Sequence, residues 1–65
     1  MDKELYLDRL RAALRSLPEA EAEASAEYYA ELIEDRMEEG LSEAEAVAGL
    51  PAPEDAAQEI LLDQP

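Results

Sequence analysis

At 65 residues, with no cysteine and no histidine, the chain has room for one modest core and lacks the side chains that most often staple one, through a disulfide or a zinc ion. The same absences remove thiolate and imidazole chemistry, and Ser16, Ser25, Ser42 and the three tyrosines stand beside no evident activating base. The net charge of -13 opposes nucleic acid and anionic membrane surfaces, so direct DNA or RNA binding is not expected.

The charge is unevenly placed. Lys3, Arg9, Arg11 and Arg15 outweigh Asp2, Glu4 and Asp8, leaving the first fifteen residues at about +1, whereas Arg36 alone answers the acids that follow. Carboxylates are abundant, but paired-carboxylate catalysis needs a concave pocket that so short a chain hardly encloses. No D-x-[DN]-x-[DN]-G loop is present. The sequence therefore points away from an enzyme and from any metal or cofactor. No apolar stretch approaches the roughly 18 residues of a membrane span, and no signal peptide is visible. The cytosol is the simplest assignment, and stability at this size calls for a partner or self-association.

The pattern predicts an all-α fold, a compact bundle of four helices forming one domain over 1–65, with helices at about 2–16, 18–39, 43–49 and 53–62. In the first, Asp2 serves as N-cap, and Tyr6, Leu7, Leu10, Ala13, Leu14 and Leu17 gather on one face while Leu5 points away. Pro18 ends that helix and suits the first position of the second, and Glu19 and Glu21 place negative charge in its first turn.

The second helix is the longest and most clearly two-faced. Ala22, Ser25, Ala26, Tyr29, Leu32, Ile33 and Met37 form the apolar stripe; Glu23, Glu27, Glu31, Glu34 and Glu38 form the opposite ridge; Gly40 follows as C′. Two residues fit this wheel poorly. Tyr28 lies at the stripe's edge and reads as a flank of the core. Arg36 lies near its centre, in the last turn, where its stem can cover apolar surface. The pattern is too short for a long coiled coil, because Gly40 cuts it after about three heptads. If the ridge meets a protein partner, Glu27, Tyr28, Glu31, Glu34, Arg36 and Glu38 are the candidate contacts.

Ser42-Glu43-Ala44-Glu45 is a capping box for the third helix, which buries Ala46, Val47 and Leu50 and stops at Gly49. Leu50-Pro51-Ala52-Pro53 is a stiff connector; Pro53 then opens the fourth helix, with Ala56, Ala57, Ile60 and Leu61 recurring at helical spacing and Asp63-Gln64-Pro65 ending it. The predicted core is Tyr6, Leu10, Leu14, Leu17, Tyr29, Leu32, Ile33, Met37, Val47, Leu50, Ile60 and Leu61.

Taken in order, Leu17-Pro18-Glu19, Glu27-Tyr28-Tyr29, Glu38-Glu39-Gly40, Ser42-Glu43-x-Glu45, Leu50, Pro53 and Ile60-Leu61 resemble the HAAS domain, a helix-turn-helix-associated α-helical signalling domain, over nearly the whole chain. The resemblance implies a cytosolic module at the N-terminus of bacterial membrane proteins, with a PadR-like winged-helix transcription regulator as partner and no catalytic motif. Two positions depart from the family pattern. Pro51-Ala52-Pro53 lacks the glycine and capping side chain of Gly-[Ser/Asp]-Pro, and Arg36 stands where a small residue is expected. The competing reading is a self-association module acting through an apolar strip of Leu5, Tyr28 and Leu62.

Overall fold

The computed structural model describes residues 1–63, so the expected helix end at Gln64 and Pro65 lies outside the described residues. The first helix, α1 (Lys3–Ala13), starts where the Asp2 carboxylate accepts the Leu5 N–H at 2.8 Å, satisfying one of the orphan donors of the first turn. It ends three residues short of the expected Ser16. Pro18 biases Leu17 towards extended backbone, and the chain tightens beforehand through short-range bonds such as Leu17 N–H to the Leu14 carbonyl, 2.9 Å. Leu14, at the C-cap four residues after Leu10, lies fully in the core.

Helix α2 (Glu19–Glu38) follows with Pro18 one position earlier than predicted, as an extended N-cap rather than the first helical residue. Its far end is a Schellman turn: Gly40 at φ 108°, the Leu41 N–H on the Arg36 carbonyl at 3.2 Å, and the Gly40 N–H on the Met37 carbonyl at 3.0 Å. Both halves of the capping box form at α3 (Glu43–Ala48), with Glu45 N–H donating to Ser42 Oγ at 3.1 Å and Ser42 N–H to Glu45 Oε1 at 2.9 Å. Those bonds hold the Glu45 carboxyl below its ordinary range. Helix α4 (Pro53–Leu62) opens on a buried proline behind Ala52, which offers no capping side chain.

The architecture is all-α, four helices with no strand among the described residues. Helix α1 packs against the other three, and α2 also packs against α3. Two clusters fill the interior. Tyr6, Leu7, Ala26, Ile33, Ala46 and Val47 form one, flanked by Met37 and Leu50; Leu10, Leu14, Ala22, Ala56 and Ala57 form the other, flanked by Leu17 and Ile60. Tyr29 packs against both. The alanines let the helix backbones approach closely but add little transfer free energy each, and the largest fully buried side chains are Tyr6, Leu10, Leu14 and Ile33.

Two sequence expectations are corrected. Leu61 is not core but 37% exposed: α4 buries Pro53, Ala56 and Ala57 and half-buries Ile60, a row at i, i+3, i+4 and i+7, and Leu61 falls just outside its edge, about 40° past Ala57. Tyr28 is not a core flank but 60% exposed, since two residues from buried Ala26 is about 200° round the helix. Leu32 is only half-buried. Near the end of α2, Arg36 lies against Gly49, where a Cβ would run into its guanidinium. Gly49, two residues before Pro51, leaves room for the large side chain that departs from the family pattern.

Leu10→Ala or Ile33→Ala is expected to cost about 2–5 kcal/mol, enough to unfold much of a domain this small, while Leu61→Ala should cost under about 1 kcal/mol. Urea titrations followed by circular dichroism measure both, and a Leu61 cost matching Leu10 would contradict its placement outside the core. Gly40→Ala should destabilise by about 1–2 kcal/mol, because its backbone is left-handed. Gly49→Ala sits at an ordinary φ of -78° and displaces only the flexible end of Arg36, so its melting temperature should stay well above that of Gly40→Ala.

Candidate protein-binding surface

The cations of α1 reach sideways. Lys3 pairs with Glu34, and its backbone N–H donates to Glu43 at 2.7 Å, tying the start of α1 to α2 and α3. Arg11 Nε donates to Glu23 at 2.7 Å, and its Nη1 contacts Asp8 at 3.2 Å. Such exposed pairs contribute little stability each, but they divide the acidic ridge. Glu23 and Glu34 are answered by α1, whereas Glu27, Glu31 and Glu38 are exposed with no cation against them among the described residues.

The six candidate contacts therefore separate. Glu27, Glu31, Glu34 and Glu38 follow i, i+4, i+7 and i+11 and share one face of α2, with Tyr28 at its border. Glu34 belongs to that face but is engaged with Lys3. Arg36 does not join it, being half-buried against Gly49 about 200° round from Glu38.

Two grooves border the apolar interior. One lies between α2 and α4 and is lined by Ala24, Ser25, Tyr28, Tyr29 and Ile60. The exposed Tyr28 ring stands edge-on to Tyr29 at 5.3 Å and 87°, a geometry aromatic pairs favour. Sequence reasoning missed this groove. Its one signal was the spacing of Ala24, Ser25 and Tyr28, small residues one turn before an aromatic that does not belong to the buried row. The second groove runs along the connector, over Val47, Leu50, Pro51 and Pro53. There the Tyr6 hydroxyl donates to the Pro51 carbonyl at 2.7 Å.

Burial pushes the Tyr6 phenol up to about 12, with Tyr29 and Glu54 adding to the effect. Tyr29 is raised too, first by burial, then by Glu59 and Tyr28. Both phenols hold their protons at neutral pH. No cluster of three or more metal-ligating side chains gathers among the described residues, and no helix there is long and apolar enough to cross a membrane. What this surface offers is noncovalent contact: carboxylates beside an ordered aromatic and a shallow apolar slot.

The HAAS family model matches residues 5–59, most of the chain. The chain belongs to the HAAS family. The HAAS match begins in α1 and ends in α4, so it spans all four helices, the unpaired glutamates and Tyr28. No curated protein and no solved structure matches significantly.

Tyr6 makes this HAAS domain sensitive to alkali. Its folded-state pKa lies above the ordinary 10.0, so between about pH 10 and 12 the folded chain keeps a proton that the unfolded chain has lost. Stability is intact below that window and falls as pH rises through it, by on the order of 2 kcal/mol. Tyr6→Phe should cost about 0.5–1.5 kcal/mol at neutral pH and flatten the alkaline loss, leaving the share that Tyr29 carries. Urea midpoints at pH 8 and pH 11.5 for both proteins measure this.

Proposed function

We propose that this HAAS domain is a non-catalytic interaction module of bacterial signalling, which binds a PadR-like winged-helix transcription regulator on the cytosolic side and couples it to a membrane protein. The observation that carries the reading is the row of unpaired glutamates, Glu27, Glu31 and Glu38, bordered by the exposed Tyr28. A regulator that holds DNA presents a basic surface, and a carboxylate row is complementary to it. Family membership supports the signalling role, and the lack of any imidazole, thiol or activated hydroxyl supports a role without catalysis. In this reading the acidic row competes with DNA for the regulator.

Size exclusion and calorimetry with a PadR-like regulator from the same organism test the reading. The two should co-elute at micromolar concentration, and binding should weaken steeply between 50 and 500 mM salt, as roughly expected when complementary charges steer association. Glu27→Lys with Glu31→Lys should weaken it about tenfold, the order of one buried charge pair lost. Separate elution at low salt would overturn the reading. A self-association module is the second reading, favoured by Leu5, Tyr28 and Leu62, which are 44%, 60% and 77% exposed. Sedimentation of the isolated chain separates the two: a Tyr28-dependent dimer supports self-association, and a strict monomer removes it.

A further inference from the structure

Helices α2 and α4 both lie on α1 and make at most slight backbone contact with each other. Between them the groove is lined by Ala24, Ser25, Tyr28, Tyr29 and Ile60, and half-buried Leu32, one turn past Tyr28, continues its apolar row. Small side chains give the groove its depth, and the Tyr28 ring, edge-on against Tyr29, forms a wall. An exposed aromatic on a helix, packed edge-on against a neighbouring ring, loses less conformational freedom when it is covered than an unpaired one, which suits a binding hot spot.

The frame around this groove carries one sign of charge. Glu21 precedes Ser25 by one turn and Glu31 follows Tyr28 by one turn, both exposed. On the α4 side Glu59 lies close enough to bear on the Tyr29 phenol, and exposed Asp55 and Asp63 stand one turn before and after it. The chain's cations are elsewhere. Lys3, Arg9 and Arg11 are on α1, Arg15 is in the turn behind it, and Arg36 is folded over Gly49 at the far end of α2. A second copy would bring carboxylates against carboxylates in a chain of net charge -13, and an anionic bilayer would be repelled in the same way.

We infer that the α2–α4 groove is a docking slot for a basic amphipathic helix of a partner protein, which places an apolar anchor over Tyr28 while its lysines and arginines meet the acidic frame. This deepens the interaction-module reading, on which it rests, by assigning the binding face and the chemistry of what enters it. The anchor supplies affinity by leaving water, and the charged frame supplies selectivity and a fast approach. It also moves the centre of recognition off the Glu27–Glu38 face and onto the Tyr28 edge.

The test uses the whole chain, labelled with nitrogen-15 and titrated with a synthetic 18-residue helix carrying leucines on one face and lysines on the other. The control is the same helix with glutamates in place of the lysines. Amide shifts should concentrate at Ala24, Ser25, Tyr28, Tyr29 and Ile60. Tyr28→Ala should weaken binding at least tenfold, Tyr28→Phe less than threefold, and Ala24→Arg, which fills the slot with a cation, at least tenfold. Tyr28 and Ala24 are exposed, and unchanged circular dichroism spectra of the variants confirm that folding is not the cause.

Shifts spread evenly over all exposed carboxylates, undiminished binding by Tyr28→Ala, or equal binding of the glutamate helix would each overturn the inference. So would a Tyr28-dependent homodimer in sedimentation, or Tyr28-dependent capture by phosphatidylcholine vesicles. The two readings fail separately. A regulator that co-elutes with wild type and with Tyr28→Ala alike sinks the slot and leaves the proposed function standing. A lysine helix that enters the slot while the regulator elutes alone does the reverse.

Discussion

Helix α1 meets all three other helices, and its Tyr6 ties the core to the connector that leads into the last of them. Its ring is 1% exposed, packed with Ile33, Ala46 and Val47, while its hydroxyl reaches the Pro51 carbonyl in the connector between α3 and α4. A phenylalanine there would fill the same space but leave the connector unattached, and a shorter hydroxyl would not reach it. Helix α4 starts without a side-chain cap, so the bond to Pro51 and the burial of Pro53 fix its entry. In the second cluster, Leu10 and Leu14 of α1 meet Ala56 and Ala57 of α4.

Small cores of this kind face an energetic problem that their composition makes plain. Alanine is close to half of the fully buried set, and each alanine contributes little by leaving water. What alanine allows is proximity: α2 and α4 come near α1 at Ala22, Ala26, Ala56 and Ala57, and the few large side chains are then surrounded on all sides. The same economy of bulk leaves the groove between α2 and α4 open, since Ala24 and Ser25 cannot fill it. Core and groove thus follow from one choice of residue size.

Electrostatics adds direction to that geometry. With few cations against many carboxylates, the position of each cation decides which acids are exposed to other molecules. Lys3 and Arg11 are placed along α1 so that each reaches across to α2, at Glu34 and Glu23. The pairs stabilise little at such exposed sites, but they draw positive charge to one flank and leave only acids among the exposed charged side chains on the far side of α2 and on α4.

The sequence by itself determined that this is an all-α chain and nearly where its helices begin and end, because those signals are local. Asp2, the Ser42–Glu45 box, Gly40 and Pro53 act on backbone groups within one turn of themselves, and the HAAS likeness is written in the same short-range features. The early end of α1 was hidden because Leu14 is turned inward by packing as much as by Pro18. Only the tertiary structure decided which glutamates are paired, that Arg36 rests on Gly49, that Leu61 and Tyr28 face out, and that α2 and α4 leave a slot between them. Each of these depends on how two helices are placed relative to one another. A helical wheel gives the angle of a residue about its own axis, but not which neighbour stands at that angle or how far away it is.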